Sequence, residues 1–133
     1  MTKLLARLPD ADLAAMLEVA REICAGEAEV TLTGDSFVEV MAAGVAKEVA
    51  LTEVAESLGV DRSAVVAFGD QLTDAGMLAW AGLGVAVANA HESALAAADE
   101  VTASNDEDGV ARVLERLTRA RVGARRAESQ VSD

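Results

Sequence analysis

Tyrosine is absent, proline occurs once, and Phe37, Phe68 and Trp80 are the whole aromatic complement of the 133 residues. With so few large rings, small side chains must do most of the packing, which suits close helix-on-sheet contacts. Cys24 is the single cysteine, so an intrachain disulfide is excluded and a reducing, cytoplasmic setting is expected. One histidine, His91, far from Cys24 in sequence, leaves no zinc cluster and no Cys–His pair. No apolar run approaches the roughly 18 residues of a membrane span, and the amino terminus lacks the apolar stretch of a signal peptide. Basic residues are also scarce. A net charge of −12 argues against a nucleic-acid binder, because neutralising phosphates needs clustered Lys and Arg. Six of the nine arginines, Arg112, Arg116, Arg119, Arg121, Arg125 and Arg126, gather near the carboxyl end, where a solvated helix face and a helix terminus account for them.

What is present is 52% hydrophobic, rich in Ala and Val, and of a length that suits one core. KLLARL (3–8) reads as a short strand or lead-in. Asp10 or Asp12 can cap the helix of ADLAAMLEVAREIC, with Leu13, Met16, Leu17, Ala20 and Ile23 or Cys24 on one face and Gly26 as its stop. AEVTLTGDSFVEVMAAG gives two β-rich runs around Gly34-Asp35, a hairpin signal. AKEVALTEVAESLG is a second helix with Val49, Val54 and Leu58 as core candidates. SAVVAFGD and GVAVANA are apolar without alternation, as buried parallel strands are, and EVTAS is a third brief strand. Short helices are expected at TDAGMLAWAG and HESALAAADE. EDGVARVLERLTRA closes the pattern, with Val110, Val113, Leu114 and Leu117 inward. Periodicity then fades, and 121–133 reads as a flexible tail.

From Lys47 onward helices and strands alternate, the pattern of a partial doubly wound parallel sheet in an α/β fold. Ligands of such sheets bind beyond the carboxyl ends of the strands, where Asp70 and Asn89 fall. In VVAFGDQLTDAG a hydrophobic strand runs straight into Asp70, and Asp74 follows about one helical turn later. Two carboxylates there can hold a hard cation such as Mg²⁺. A turn or capping role is the ordinary reading of Asp74. Lys47, the sole lysine after Lys3, offers an ammonium to offset phosphoryl charge. His91 reads as a solvated helix start and Trp80 as a core or interface anchor. SNDEDG reads as a helix-capping acidic turn, since it lacks the ligand ladder of a calcium loop.

Taken in order, GVAKEVAL, VVAFGDQLTDAGMLAWAG, GVAVANA and ADEVTASNDEDGVARVLERL resemble the carboxyl-terminal part of a haloacid-dehalogenase-superfamily phosphatase of the Cof type. The resemblance implies a HAD-like, Rossmann-like core half at 45–120, preceded at 1–44 by the end of an α/β cap. It implies Mg²⁺-dependent hydrolysis of small phosphorylated metabolites, with Lys47 balancing charge, Asp70 and Asp74 forming the metal site, and Thr73 and Asn89 near the substrate. The family places asparagine where Thr73 stands; threonine keeps a hydroxyl but loses the amide's reach. The family's nucleophilic Asp-x-Asp, at the end of a first strand, has no counterpart. Asp10-Ala11-Asp12 has the spacing but follows Pro9 and starts a helix. The central strand of the family's sheet and the segment with its phosphate-binding Ser/Thr are lacking too. Two expectations follow: a hydrolase completed by a second copy or an amino-terminal fragment, or an inactive phosphatase-like fragment acting as an oligomeric or binding module. The segment Val65–Phe68 is the edge expected to seek a partner.

Overall fold

The computed structural model describes residues 3–10, 12–34 and 36–130, with side chains described as far as residue 120. The chain forms two compact units, Met1–Ala50 and Leu51–Asp133.

In the first unit β1 (Lys3–Ala6), β2 (Ala28–Thr33) and β3 (Phe37–Ala42) form an antiparallel sheet of order β1-β3-β2. The β2–β3 hairpin closes with Thr33 opposite Phe37, as the Gly34-Asp35 signal predicted; Asp35 itself lies outside the described residues. Helix α1 (Leu13–Cys24) packs on β2 and β3. Asp12 is its cap, accepting from the N–H groups of Ala14 at 2.9 Å and Ala15 at 3.4 Å. The cap role explains why Asp10-Ala11-Asp12 starts a helix; Ala11 lies outside the described residues. Leu13, Met16, Leu17, Ala20 and Cys24 form the half-buried face, whereas Ile23 points to solvent. Val30 and Val38 are the buried apolar residues of this sheet, and the buried Glu39 is paired with Lys3 at 2.8 Å.

Helix α2 (Lys47–Ser57) contains the division between the units. Its expected core residues are corrected here: Val49, Val54 and Leu58 are exposed, while Ala55 is buried and Leu51 half-buried. Leu51 and Ala55 are four residues apart and share a ridge, and the row of Val54 and Leu58 lies about 60° round the helix from it.

In the second unit β4 (Val66–Gly69), β5 (Leu83–Val87) and β6 (Glu100–Thr102) make a parallel sheet of order β4-β5-β6. Val66 lies opposite Leu83, and Val85 opposite Glu100. Helices α3 (Ala75–Trp80) and α4 (Glu92–Ala97) provide the crossovers, and the core gathers Ala67, Leu78, Ala81, Ala86 and Ala94. Trp80 is half-buried against this cluster, with the Arg62 guanidinium 5.9 Å from its ring centroid. Small residues let backbones approach: a Cβ on Gly84 would stand 2.3 Å from the carbonyl oxygen of Leu78. Both non-alternating strands are parallel, as the α/β reading required; β5 is buried, whereas in β4, expected to be buried, only Ala67 is, because β4 ends the strand order.

SNDEDG does form the expected turn: one turn of 3-10 helix at Asn105–Glu107 and a left-handed Asp108 lead into α5 (Gly109–Gln130). Val113 is buried and Val110 and Leu117 half-buried, but Leu114 is exposed, again one residue off the inward line. The backbone stays helical to Gln130, through part of the segment read as a tail, because ARVGARRAESQ is rich in strong helix formers. The side chains of Arg121, Arg125 and Arg126 lie outside the described residues. Among the described residues no helix is long and apolar enough to cross a membrane.

Candidate active site at the carboxyl edge of the parallel sheet

Strand β4 ends at Gly69, and the chain turns at once through Asp70 and Gln71 into a 3-10 turn, Leu72–Asp74, which feeds α3. Asp74 makes that turn. Its side chain is buried at 3% exposure, and Oδ2 accepts from the N–H of Asp70 and the N–H of Gln71, each at 2.9 Å. A carboxylate that receives two backbone donors fixes the loop that supplies them. Gly69 is required beneath it, since a Cβ there would lie 2.6 Å from the Asp74 Cβ. The turn reading of Asp74 thus describes its geometry, with the carboxylate folded back onto the loop.

Asp70 is the opposite case. Its side chain is exposed at the strand tip, where Oδ2 accepts from Gln71 Nε2 at 2.9 Å. Thr73 is half-buried within the same turn. The two carboxylates that looked equivalent in the sequence have separate tasks: Asp74 shapes the loop and Asp70 is presented by it.

The next strand tip is tied to this loop. His91 caps α4, Nδ1 accepting from the Ser93 N–H at 3.1 Å, and its own N–H donates to the Asp70 carbonyl at 2.7 Å. The helix start is where His91 was expected; the capping bond is what the structure adds. Asn89 sits just past β5 and is bound to the loop after β6: its Nδ2 donates to Asn105 Oδ1 at 2.7 Å, and its Oδ1 accepts from the Asn105 N–H at 3.1 Å. Backbone pairing supports this link, Ala88 N–H donating to the Ala103 carbonyl at 3.4 Å. Thr102 Oγ1 donates to the Gly109 carbonyl at 3.0 Å, and a Cβ on Gly109 would stand 1.9 Å from the Ala103 oxygen. That crowding anchors the start of α5 to the end of β6.

Asp70, Thr73, Asp74 and Asn89 therefore share one edge of the second unit. Lys47 opens α2 on the other side of the division; it is exposed but not without a partner. Two participants were missed from the sequence, Gln71 and Asn105. Asn105 carried a signal: it is an amide residue in the loop immediately after a strand of the same sheet. Among the described residues no three His, Cys, Asp or Glu side chains converge as a metal cluster.

Comparison with known proteins gives the family. A haloacid dehalogenase-like hydrolase family model matches residues 1–114. The chain is 43% identical over 88 residues to a 5-amino-6-(5-phospho-D-ribitylamino)uracil phosphatase of Bacillus subtilis, covering 66% of this chain and 35% of that protein. It is 47% identical over 93 residues to a phosphoglycolate phosphatase of Natronomonas pharaonis, covering 70% of this chain and 39% of that one. A haloacid dehalogenase-like hydrolase from Bacteroides thetaiotaomicron superposes with a TM-score of 0.73 at 36% identity, over 87% of this chain and 44% of the other. The chain thus spans less than half the length of each of these relatives. With the family model matched along most of the sequence, and with the strand-tip aspartate, its turn and the parallel sheet in place, the chain belongs to the haloacid dehalogenase-like hydrolases, of the Cof type.

Proposed function

We propose that this chain supplies the metal-binding edge of a Mg²⁺-dependent phosphomonoester hydrolase acting on small phosphorylated metabolites. The observation that carries the reading is the presentation of Asp70: an exposed carboxylate at the carboxyl edge of a parallel sheet, on a loop fixed by Asp74. A hard cation suits that donor, since Mg²⁺ keeps several waters and takes one or two carboxylates. Asp70 would be its direct protein ligand, and Asp74 would serve the metal by holding the loop, because Oδ2 is engaged by two N–H groups. The bound ion would neutralise charge on a phosphoryl group. Lys47 would add a second positive charge, and Thr73 and Asn89 would line the substrate side. The first unit would be the end of a cap and the second the core half.

The attacking aspartate, in this reading, comes from outside these 133 residues. The engagement of Asp12 in the α1 cap supports this reading. Positioned electrostatics without a nucleophile give little turnover. Calorimetric titration of Mg²⁺ into the chain and into D70N tests the metal. We expect binding on the order of millimolar in the chain and none in D70N; equal heats in both would overturn the proposal. Phosphate release on a phosphometabolite panel, with and without Mg²⁺ and an added Asp-x-Asp-bearing fragment, then tests the hydrolase.

One observation favours the second reading, a binding or oligomeric module. Strand β4 ends the order β4-β5-β6, and its residue Val66 is 36% exposed. An unpaired edge recruits another strand, from a second copy or a complementing fragment. Sedimentation equilibrium at micromolar concentration distinguishes them: a dimer without turnover supports the module, and a monomer removes it.

A further inference from the structure

We infer that Asn89 and Asn105 form a positioning pair that sets the backbone of the Asp70 loop from the far side of the sheet edge. The functional sense of this pair rests on the metal reading above. Both ends of the Asn89 amide are used: the donor goes to Asn105 Oδ1 at 2.7 Å and the acceptor receives the Asn105 N–H at 3.1 Å. An amide so engaged is a bracket between two loops. Two residues further along the same loop, the His91 N–H donates to the Asp70 carbonyl at 2.7 Å. A continuous path therefore runs from the β6 tip, through the β5 tip, to the peptide that carries the exposed carboxylate. Asp74 holds the amide side of that residue and His91 holds its carbonyl side. The Asp70 backbone is clamped at both ends, and the Asn89–Asn105 bracket keeps the second clamp in place.

The test uses the chain itself, with hydrogen exchange in the absence of metal and Mg²⁺ calorimetry. In Asn105→Ala the His91 amide should exchange roughly fivefold to tenfold faster, the loss of about one hydrogen bond. The Val85 amide, in the central strand, should keep its wild-type rate. The Mg²⁺ dissociation constant of the same variant should rise several-fold. Asn105→Asp retains an oxygen acceptor and the backbone N–H, so it should restore protection of His91. Wild-type exchange at His91 in Asn105→Ala would overturn the inference. So would equal acceleration at His91 and Val85, which signals general loosening. Faster exchange confined to His91, in a chain that binds no Mg²⁺ even as wild type, would support the bracket and refute the metal reading.

Discussion

Glycine serves different ends in the antiparallel unit and around the parallel sheet of the second unit, where Gly59, ahead of that sheet, is of the turn kind. In the antiparallel unit Gly26, Gly34 and Gly44 have positive φ and nothing within 4 Å of where a Cβ would be. In the parallel sheet and its loops Gly69, Gly82, Gly84 and Gly109 stand against other atoms at 2.6, 2.5, 2.3 and 1.9 Å. The first set relieves backbone strain at turns; the second makes room for close approach, by the Asp74 side chain at Gly69 and by backbone at Gly82, Gly84 and Gly109. A hairpin unit is limited by how sharply its chain can reverse, and a layered unit by how closely its layers approach.

The largest test of that contrast is Gly109→Ala. The added methyl meets a backbone oxygen that cannot swing aside, so we expect a loss of about 3 kcal/mol in urea unfolding. Gly34→Ala meets open space and suffers from its φ of 56° alone, so its cost should be about 1 kcal/mol. Equal costs would break the distinction.

A smaller effect separates the two aspartates of the loop. Asp74→Ala leaves the Asp70 and Gln71 N–H groups without their acceptor and should cost about 2 kcal/mol by the same measurement. Asp70→Asn removes the exposed charge and should change stability by about 0.5 kcal/mol or less, while abolishing Mg²⁺ binding. A D70N chain as unstable as D74A would mean that the loop depends on both.

The smallest effect is a pH dependence in the parallel unit. Arg116 Nη2 donates to Glu100 Oε2 at 2.7 Å. That hydrogen bond, with the guanidinium charge, holds the Glu100 carboxyl below its usual range against the opposing effect of partial burial. A depressed carboxylate contributes stability above its unfolded pKa and loses it as pH falls through the folded value. Glu100→Gln should therefore melt slightly lower than the wild type near neutrality, and the two should converge on acidification. A gap that persists at pH 3 would place the effect in packing.

Much of this was legible in the sequence, for identifiable reasons. Strand β5 announced its burial, and β4 its place in the parallel sheet, by runs without alternation, and the β2–β3 hairpin showed in Gly34 between two β-rich runs. The strand-tip position of Asp70 followed from the strand. What escaped was orientation. Four-residue spacing places Asp74 one turn on, but cannot show that its carboxylate folds back onto two N–H groups instead of facing outward beside Asp70. The apolar residues of α2 permit more than one inward face, and Leu51 and Ala55 won it over Val54 and Leu58. Asn105 escaped because its partner is contributed by a different strand tip.

The strand order has a kinetic consequence. Strand β5 lies between β4 and β6, so neither outer strand has a partner within this sheet until β5 is in place. Every pairing contact of the parallel sheet thus passes through Leu83–Val87. Formation of the sheet is then a sequence of two additions to one central strand, each closing a loop across a helix. Truncating Val85, fully buried at its centre, should slow refolding, whereas truncating Val101 on the outer strand should chiefly hasten unfolding.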